Sequence, residues 1–462
     1  MSTDFESRLE TQRGRALDLH RAHVNPAFVQ MLRTIGFDRE YVRGEGCHLW
    51  DAQGRRYLDL LTGWGVFALG RNHPRLKAVL KQRLDADAPN LVGMDCSALS
   101  GLVAERLARL AGGDLSRVYF GNSGAEAVES AIKFARCATG REEIVHCAHG
   151  YHGVTIGALS LCGEGLFRER FGPLMPGARR VPFGDLEALE QELARRKAAA
   201  FVLEPVQGET CAVVPDGYLA EAQRLCRRAG TLLVVDEVQS GLGRTGRWFA
   251  YQHWPEVEPD IVCVAKALSG GYVPVAATIA RPHILDAVFD SMDHCMVHAS
   301  TFGENDLAMA AALATLDVIE DEKLVENAAA QGDYAMARLR EIGQACPFVS
   351  GVHGKGLLFG ISFARPAESL TLKMAWDAMS RLRPGLFGQM IVVPLLEKHH
   401  ILAQVAGYET DLVKFLPPLT IGREDLDLFL NAMADVLADT LRVPGAAWET
   451  VMGLAKRALK AP

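Results

Sequence analysis

The chain has 462 residues, 49% of them hydrophobic and 23% charged, with a formal net charge of −7 at pH 7. These values are typical of a globular protein with at least two domains, and they exclude a fibrous or disordered chain. The negative charge also disfavours binding to nucleic acid or to an anionic membrane surface.

The ten cysteines are scattered and form no C-x-x-C pair, which favours reduced thiols over a disulfide framework. The N-terminal segment contains no apolar stretch of the kind found in signal peptides, and Asp4, Glu6 and Glu10 argue against a transit peptide. No apolar run approaches the roughly 20 residues of a membrane span. We therefore expect a cytoplasmic protein that does not enter a membrane.

The predicted elements begin with amphipathic helix over residues 1–36 and short antiparallel strands over 41–66, with a hairpin at Gly54. Short apolar runs then alternate with helical stretches, which include residues 125–138. Six strands are predicted in this part of the chain: RVYF (117–120), EIVHCA (143–148), AAFVLEP (199–205), TLLVVDE (231–237), DIVCVA (260–265) and PVAATIA (274–280).

Uniformly apolar strands are typical of a mostly parallel sheet that is covered by helices on both faces. A helix-rich stretch at 307–345 and a mixed C-terminal part follow, which predicts a smaller α+β domain. We therefore predict an α/β fold in three parts. Residues 1–70 would form an N-terminal arm and part of the small domain, 71–335 the large domain, and 336–462 the remainder of the small domain.

Three of the predicted strands end in residues that suit a cofactor. The segment GNSGAEAVESA (121–131) opens a helix with small residues, and a helix N-terminus attracts an anion such as phosphate. Asp236 follows one apolar strand, where a carboxylate needs a partner. Lys266 follows another, where desolvation makes a lysine nucleophilic. Each has an ordinary structural explanation when taken alone, but together they meet the requirements of pyridoxal phosphate.

Five segments resemble the motifs of the class III aminotransferases, which are fold type I enzymes dependent on pyridoxal 5′-phosphate. These segments are GNSGAEAVESAIKFAR (121–136), HGYHG (149–153), LEPVQGE (203–209), VVDEVQSGLGRTG (234–246) and HASTFGEN (298–305). The resemblance extends from about residue 40 to 435. The segments KALSGG (266–271) and TFGEN (301–305) are most similar to those of the putrescine and other diamine aminotransferases. It implies a large domain with a parallel sheet and a smaller α+β domain built from both termini.

The segment GLGRTG (241–246) also matches the G-x-G-x-x-G pattern of a dinucleotide-binding loop. Such a loop should open a helix, but residues 247–260 contain two prolines and no helical period. We therefore expect these glycines only to turn the chain.

The resemblance implies a role for each matching residue around the cofactor. Lys266 would form the Schiff base, Asp236 would keep the pyridine nitrogen protonated, and Gln239 would contact the 3′ oxygen of the ring. Tyr151 would stack on the ring. The sequence leaves open whether His152 also contacts the cofactor or only positions Tyr151.

The phosphate would be held by four residues. Ser123, Gly124 and Ala125 belong to the helix start, and Thr301 would reach the phosphate from the second subunit of a homodimer with shared active sites.

The substrate side departs from the pattern of the ornithine-type relatives, which bind an α-carboxylate with the Arg of an R-x-x-P-P-L segment. Here Lys414 takes that place, in DLVKFLPPLTI (411–421). A lysine is a point charge and lacks the bidentate fork of an arginine. Glu209, which pairs with that Arg in such relatives, is retained for a pair with Lys414. The alternative is that Lys414 is a surface residue.

We infer a donor without an α-carboxylate, which is a diamine or a long-chain or polyketide-like amine, and a 2-oxo acid acceptor such as pyruvate or 2-oxoglutarate. Trp64 would contact this substrate unless it packs in the core. An ω-amino acid or ornithine-like donor is an alternative, as is a related racemase or aminomutase reaction. A metal site is not expected, because HCAHGYH (146–152) and HCMVH (294–298) lack the spacing of zinc ligands.

Overall fold

The computed structural model describes residues 5–163, 165–382, 385–407 and 411–443, together with residues 445, 448, 449 and 453. The helices are α1 (Phe5–Glu10), α2 (Ala16–His23), α3 (Pro26–Ile35), α4 (Thr62–Gly65), α5 (Pro74–Asp85), α6 (Ala98–Ala111), α7 (Gly124–Thr139), α8 (Ile156–Ser160), α9 (Gly165–Arg168), α10 (Leu186–Ala194), α11 (Tyr218–Ala229), α12 (Pro282–Val288), α13 (Asp306–Asp321), α14 (Leu324–Gln344), α15 (Leu370–Leu382), α16 (Phe387–Glu397) and α17 (Arg423–Thr440). Short 3-10 helices cover Ala250–His253, Lys266–Ser269 and Met292–His294.

The strands are β1 (Tyr41–Glu45), β2 (His48–Asp51), β3 (Arg56–Asp59), β4 (Arg117–Gly121), β5 (Glu143–Cys147), β6 (Ala178–Val181), β7 (Ala198–Leu203), β8 (Leu232–Asp236), β9 (Ile261–Val264), β10 (Ala276–Ala280), β11 (Val349–Lys355), β12 (Leu358–Phe363), β13 (Ile401–Leu402), β14 (Gln404–Ala406) and β15 (Leu412–Phe415).

A seven-stranded sheet forms the centre of the protein, in the order β4–β10–β9–β8–β7–β5–β6. Strand β10 runs antiparallel to both of its neighbours, and every other neighbouring pair is parallel. All six predicted strands are confirmed. Strand β6 was not predicted, because its two arginines, Arg179 and Arg180, are exposed at the sheet edge and make the segment polar.

Helices cover both faces of this sheet, as its apolar strands predict. Side chains that alternate along β8 enter different clusters, with Leu233 and Val235 in one core and Val234 in the other. The second core contains the buried stripe of α7, which includes Val128 and Ile132. Among the described helices, none combines the length and the hydropathy that a bilayer-spanning segment requires.

Two smaller sheets contain the remaining strands. In the sheet β1–β2–β3–β13, strand β13 pairs in parallel with β3, so segments from both ends of the chain share one sheet. The predicted hairpin joins β2 to β3, where Gly54 has a φ of +78° and donates its N–H to the carbonyl of Asp51 at 2.9 Å. The third sheet has the order β11–β12–β15–β14 and is antiparallel. The domain limits at residues 70 and 335 remain a prediction.

Candidate active site

A cavity of about 790 Å³ lies at the carboxyl ends of the parallel strands β7, β8 and β9, which is where ligands bind in sheets of this kind. Most of the predicted site residues line it, although they are far apart in the sequence. These residues are Trp64, Ser123, Gly124, Ala125, Tyr151, His152, Glu209, Asp236, Gln239 and Lys266.

Lys266 lies two residues beyond β9 and begins a 3-10 helix, with a φ of +40° that non-glycine residues seldom adopt. Its Nζ forms no hydrogen bond or ion pair with another described residue. Burial lowers the pKa of Lys266, and the positive charge of Lys414 lowers it further. Both effects enlarge the fraction of unprotonated, nucleophilic amine on the cavity wall.

Asp236 is the last residue of β8 and only 3% of it is exposed. Its Oδ2 lies 2.7 Å from Nδ1 of His152, and its Oδ1 accepts the N–H of Val238 at 3.0 Å. Burial alone would lower the pKa of His152, but the hydrogen bond and charge of Asp236 outweigh it, so that the pKa is raised. His152 therefore contacts Asp236, a partner that the sequence did not suggest, and the pair favours an imidazolium beside a carboxylate.

Glu204 is a site residue that the sequence interpretation missed, although it is the first acid of the LEPVQGE segment. It is buried just beyond β7, where Oε1 accepts the N–H of Tyr151 at 3.0 Å and Oε2 accepts the N–H of Gly208 at 2.7 Å. Burial raises the pKa of Glu204 to about 7, against the positive charge of His152. The available signal was its position at a strand end, equivalent to that of Asp236.

The start of α7 forms one wall of the cavity. Ser123 caps the helix by accepting the N–H of Glu126 on its Oγ at 3.2 Å, and the first-turn N–H groups of Gly124 and Ala125 have no intrahelical partner. A Cβ on Gly124 would lie 2.7 Å from Cγ1 of Val238. The glycine therefore allows the helix N-terminus to approach the loop after β8 closely, which suits a phosphate.

Gln239 and Trp64 lie side by side on the wall. The Nε2 of Gln239 donates to the carbonyl of Trp64 at 3.1 Å. Trp64 has a φ of +60° and is 59% exposed. It is therefore not packed in the core, which was the alternative to a substrate contact.

Lys414 lies on β15 and is 1% exposed, so the alternative that it is a surface residue is wrong. Its Nζ donates to the carbonyl of Gly208 at 2.5 Å and to Oε1 of Gln239 at 3.4 Å. The predicted pair with Glu209 is present at 3.9 Å between Nζ and Oε1. Lys414 does not lie on the cavity wall itself.

Thr301 is the other predicted residue that does not line the cavity. It is exposed on the segment before α13. Its contact with a phosphate across a subunit boundary remains a prediction.

The segment GLGRTG has the role that the sequence predicts for it. The glycines at 241–246 turn the chain without opening an α-helix, and between them Arg244 is buried with its guanidinium on the carbonyls of Leu357 and Pro417. Among the described residues, no group of three or more His, Cys, Asp or Glu side chains is arranged to hold a metal ion.

The described residues fit pyridoxal phosphate. They bring an unpaired lysine amine, a buried carboxylate and a helix N-terminus with a close glycine approach to one cavity. A mostly parallel seven-stranded sheet with this lysine and this aspartate at adjacent strand ends is the architecture of a fold type I pyridoxal-phosphate enzyme.

The chain belongs to the class III aminotransferase family, whose model matches residues 34–437. The resemblance seen in the sequence is thereby confirmed, and the cofactor is pyridoxal 5′-phosphate. A solved structure of ornithine aminotransferase from Toxoplasma gondii, with partial occupancy of the cofactor at its active site, superimposes with a TM-score of 0.81 and 30% identity over 95% of this chain and 98% of that one.

Three relatives are named as aminotransferases, and two of the names give a substrate. The chain is 36% identical to aminotransferase PigE of Serratia sp., covering 91% of this chain but only 53% of that protein's length. It is 35% identical to putrescine aminotransferase of Pectobacterium atrosepticum, over 91% of this chain and 88% of the relative. It is 39% identical to acetylornithine aminotransferase of Methanopyrus kandleri, over 87% of this chain and 94% of the relative.

Proposed function

We propose that this chain transfers an amino group from a primary amine without an α-carboxylate, which is a diamine or a long-chain or polyketide-like amine, to a 2-oxo acid such as pyruvate or 2-oxoglutarate in ping-pong fashion. The observation that carries the proposal is the state of Lys414, whose ammonium is bonded to Gly208, Gln239 and Glu209 and is withdrawn from the cavity wall. No lysine or arginine other than Lys266 is among the described residues of that wall.

The charges on the cavity wall also favour an amine. Three acids, Glu204, Glu209 and Asp236, line the described part of the cavity. A wall of this kind attracts the ammonium group of a donor. The 2-oxo acid follows from family membership, because the amino group needs an acceptor.

The proposed roles of the residues follow from their positions. When bound, the cofactor withdraws the electrons that remain on the substrate carbon after it loses a proton. Lys266 Nζ takes up and returns that proton as base and then acid. Asp236, held by His152, would accept a hydrogen bond from the ring nitrogen, and Gln239 would donate to the 3′ oxygen. Tyr151 covers the ring and excludes water.

The phosphate is assigned to the start of α7, at Ser123, Gly124 and Ala125, which lie on the cavity wall. Thr301 is assigned to the same phosphate in the second subunit of a homodimer.

A second candidate donor is an ornithine-like or ω-amino acid. It is supported by the names of the acetylornithine and ornithine aminotransferases among the relatives. In that case Lys414 would have to leave Gly208 and Gln239 to meet the carboxylate.

A half-reaction without acceptor tests the choice between these donors. The purified holoenzyme is mixed with putrescine, cadaverine, a long-chain primary amine, ornithine, lysine, β-alanine or 4-aminobutyrate, and the absorbance of the lysine-bound cofactor is followed. We expect the amines to bleach it and the amino acids to leave it. Faster bleaching by ornithine or 4-aminobutyrate would favour the second candidate, and Lys266→Ala, which has no such absorbance, is the control.

We further propose a cytoplasmic homodimer. The location is supported by the ten cysteines, all of which are free. The dimer is supported by large apolar side chains that are exposed around Thr301, namely Met292, Met296, Val297 and Phe302. Val92 and Met94 are also exposed, on a loop that reaches the same region through the bond from the Asp306 N–H to Asn90.

A further inference from the structure

We propose that Lys414 is a positioning residue, which orients the Gln239 amide and the Gly208 carbonyl and contacts neither amine donor nor acceptor. This inference rests on the proposed function, in which Gln239 donates to the 3′ oxygen of the cofactor. The lysine that stands here in place of the relatives' arginine would then support the cofactor site and would not bind substrate.

Two hydrogen bonds and one longer ion pair hold the ammonium of Lys414 within the protein. An ammonium has three N–H donors and no acceptor. Here they face the Gly208 carbonyl at 2.5 Å, the Gln239 Oε1 at 3.4 Å and the Glu209 Oε1 at 3.9 Å. Because the side chain is fully buried behind the wall, turning it toward a ligand would leave these oxygens without their partner.

The same contacts select one orientation of the Gln239 amide. Lys414 can only donate, so it requires the amide oxygen, and the carbonyl of Trp64 requires the amide NH₂. The second N–H of that NH₂ is left for an acceptor in the cavity. A Cβ at Gly208 would lie 2.7 Å from Oε1 of Gln239, so the glycine provides the room for this orientation.

The charge of Lys414 also acts on Lys266. The charged groups around Lys266 are Lys414 on β15, Asp236 at the end of β8, and Glu204 and Glu209 after β7. Burial and Lys414 lower the pKa of Lys266, whereas the three carboxyl groups raise it. Loss of Lys414 would therefore leave Lys266 protonated up to a higher pH.

The test uses the full chain freed of cofactor. Affinity for pyridoxal phosphate is measured by equilibrium dialysis. The rate at which the absorbance of the cofactor bound to Lys266 appears is measured as a function of pH, which gives the pH at the midpoint of the rate. For Lys414→Met we expect roughly tenfold weaker binding, about the effect of one misplaced hydrogen bond, and a pH midpoint that moves upward. Lys414→Arg, which keeps the charge, should keep the midpoint. Lys398→Met, which removes a lysine paired with Asp439 at 2.7 Å away from the cavity, should change neither quantity.

A double-mutant cycle separates the two effects. In a Gln239→Ala background, Lys414→Met should cause no further loss of affinity but should still raise the midpoint. If Lys414→Met does not fold, Lys414→Gln removes the same charge and is measured in its place.

Two outcomes would overturn the proposal. One is that Lys414→Met keeps the wild-type affinity for pyridoxal phosphate and the wild-type pH midpoint. The other is a KM for amino or 2-oxo acids that rises while cofactor binding is unchanged, as a substrate contact would produce. Failure of the proposed function looks different, because no amine would then bleach the wild-type holoenzyme, although cofactor binding would be intact.

Discussion

At the scale of single residues, the proposed chemistry depends most on Lys266. Replacing Lys266→Ala should leave the protein folded and able to bind pyridoxal phosphate, because its Nζ bonds to no other described residue. Turnover and the absorbance of the lysine-bound cofactor should both be lost. Activity assays check this, with circular dichroism as a folding control. Near-wild-type turnover in a folded variant would contradict the role of Lys266 as the residue that binds the cofactor.

Glu237, the neighbour of Asp236, is a buried acid whose carboxyl accepts the Ser240 hydroxyl at 2.6 Å and the Tyr251 N–H at 2.9 Å. Burial raises the pKa of Glu237 from 4.5 to about 7, because it penalises the charged form more than these hydrogen bonds favour it. A raised pKa gives stability that is present below the unfolded value and is lost as pH rises through the folded value.

Glu237→Gln should remove this pH dependence while keeping the shape of the side chain. We expect the free energy of unfolding of the wild type to fall relative to the variant by about 2–3 kcal/mol between pH 5 and pH 8. Urea denaturation of both proteins at the two pH values measures the difference, in which the other titrating groups cancel. A difference that does not change with pH would contradict the buried, protonated state.

The residue types at the site could be predicted from the sequence, because a strand end followed by Lys266 or Asp236 is a local pattern. Apart from Glu209, the partners of Lys414 could not be predicted, and neither could those of Glu204 and His152, because burial and hydrogen bonding depend on segments that are distant in the chain. Lys414 meets Gly208 across 206 positions of sequence. No local pattern distinguishes that contact from an exposed lysine.

At the scale of elements, the contact between the start of α7 and the loop after β8 depends on Gly124. In Gly124→Ala the new Cβ would lie 2.7 Å from Cγ1 of Val238, so one of the two segments must move. We expect a loss of about 1–3 kcal/mol in stability and weaker cofactor binding. Thermal denaturation and equilibrium dialysis measure the two effects.

The companion substitution Val238→Ala is the control for this steric explanation. Combined with Gly124→Ala, it should restore part of both quantities, because it removes the two methyl groups that the new Cβ approaches. Equal losses in the single and double variants would show that the close approach is not the cause.

Elements with a strong hydrophobic pattern were predictable, and those set by position in the sheet were not. Five of the six apolar strands lie inside the sheet and β4 forms one edge, whereas β6 at the other edge, with its exposed arginines, is recognisable only through its pairing with β5. In α4, the left-handed conformations of Gly63 and Trp64 follow from their setting rather than from a sequence signal. The bond from the Thr62 hydroxyl to the Leu416 carbonyl at 2.7 Å anchors this segment to the distant C-terminal part.

At the scale of the whole molecule, the exposed apolar side chains around Thr301 predict a dimer with twice the mass of the chain. The double substitution Met292→Asp and Phe302→Asp should shift the protein toward monomer and weaken cofactor binding, because Thr301 would no longer reach the second active site. Light scattering coupled to gel filtration measures the mass. Leu370→Asp, on another exposed apolar residue, is the control, and a double variant that stays dimeric would place the interface elsewhere.

The Gln239 side chain joins three parts of the molecule, because it bonds to Trp64 near the N-terminal strands and to Lys414 in the C-terminal sheet while belonging to the loop after β8. A ligand bound at this junction adds its binding free energy to all three parts, as thermodynamic linkage requires. One buried core also contains residues of all three sheets, among them Leu58, Val235 and Phe359. We therefore expect the bound cofactor to stabilise the three sheets together, so that saturating cofactor raises the temperature at which the whole chain unfolds.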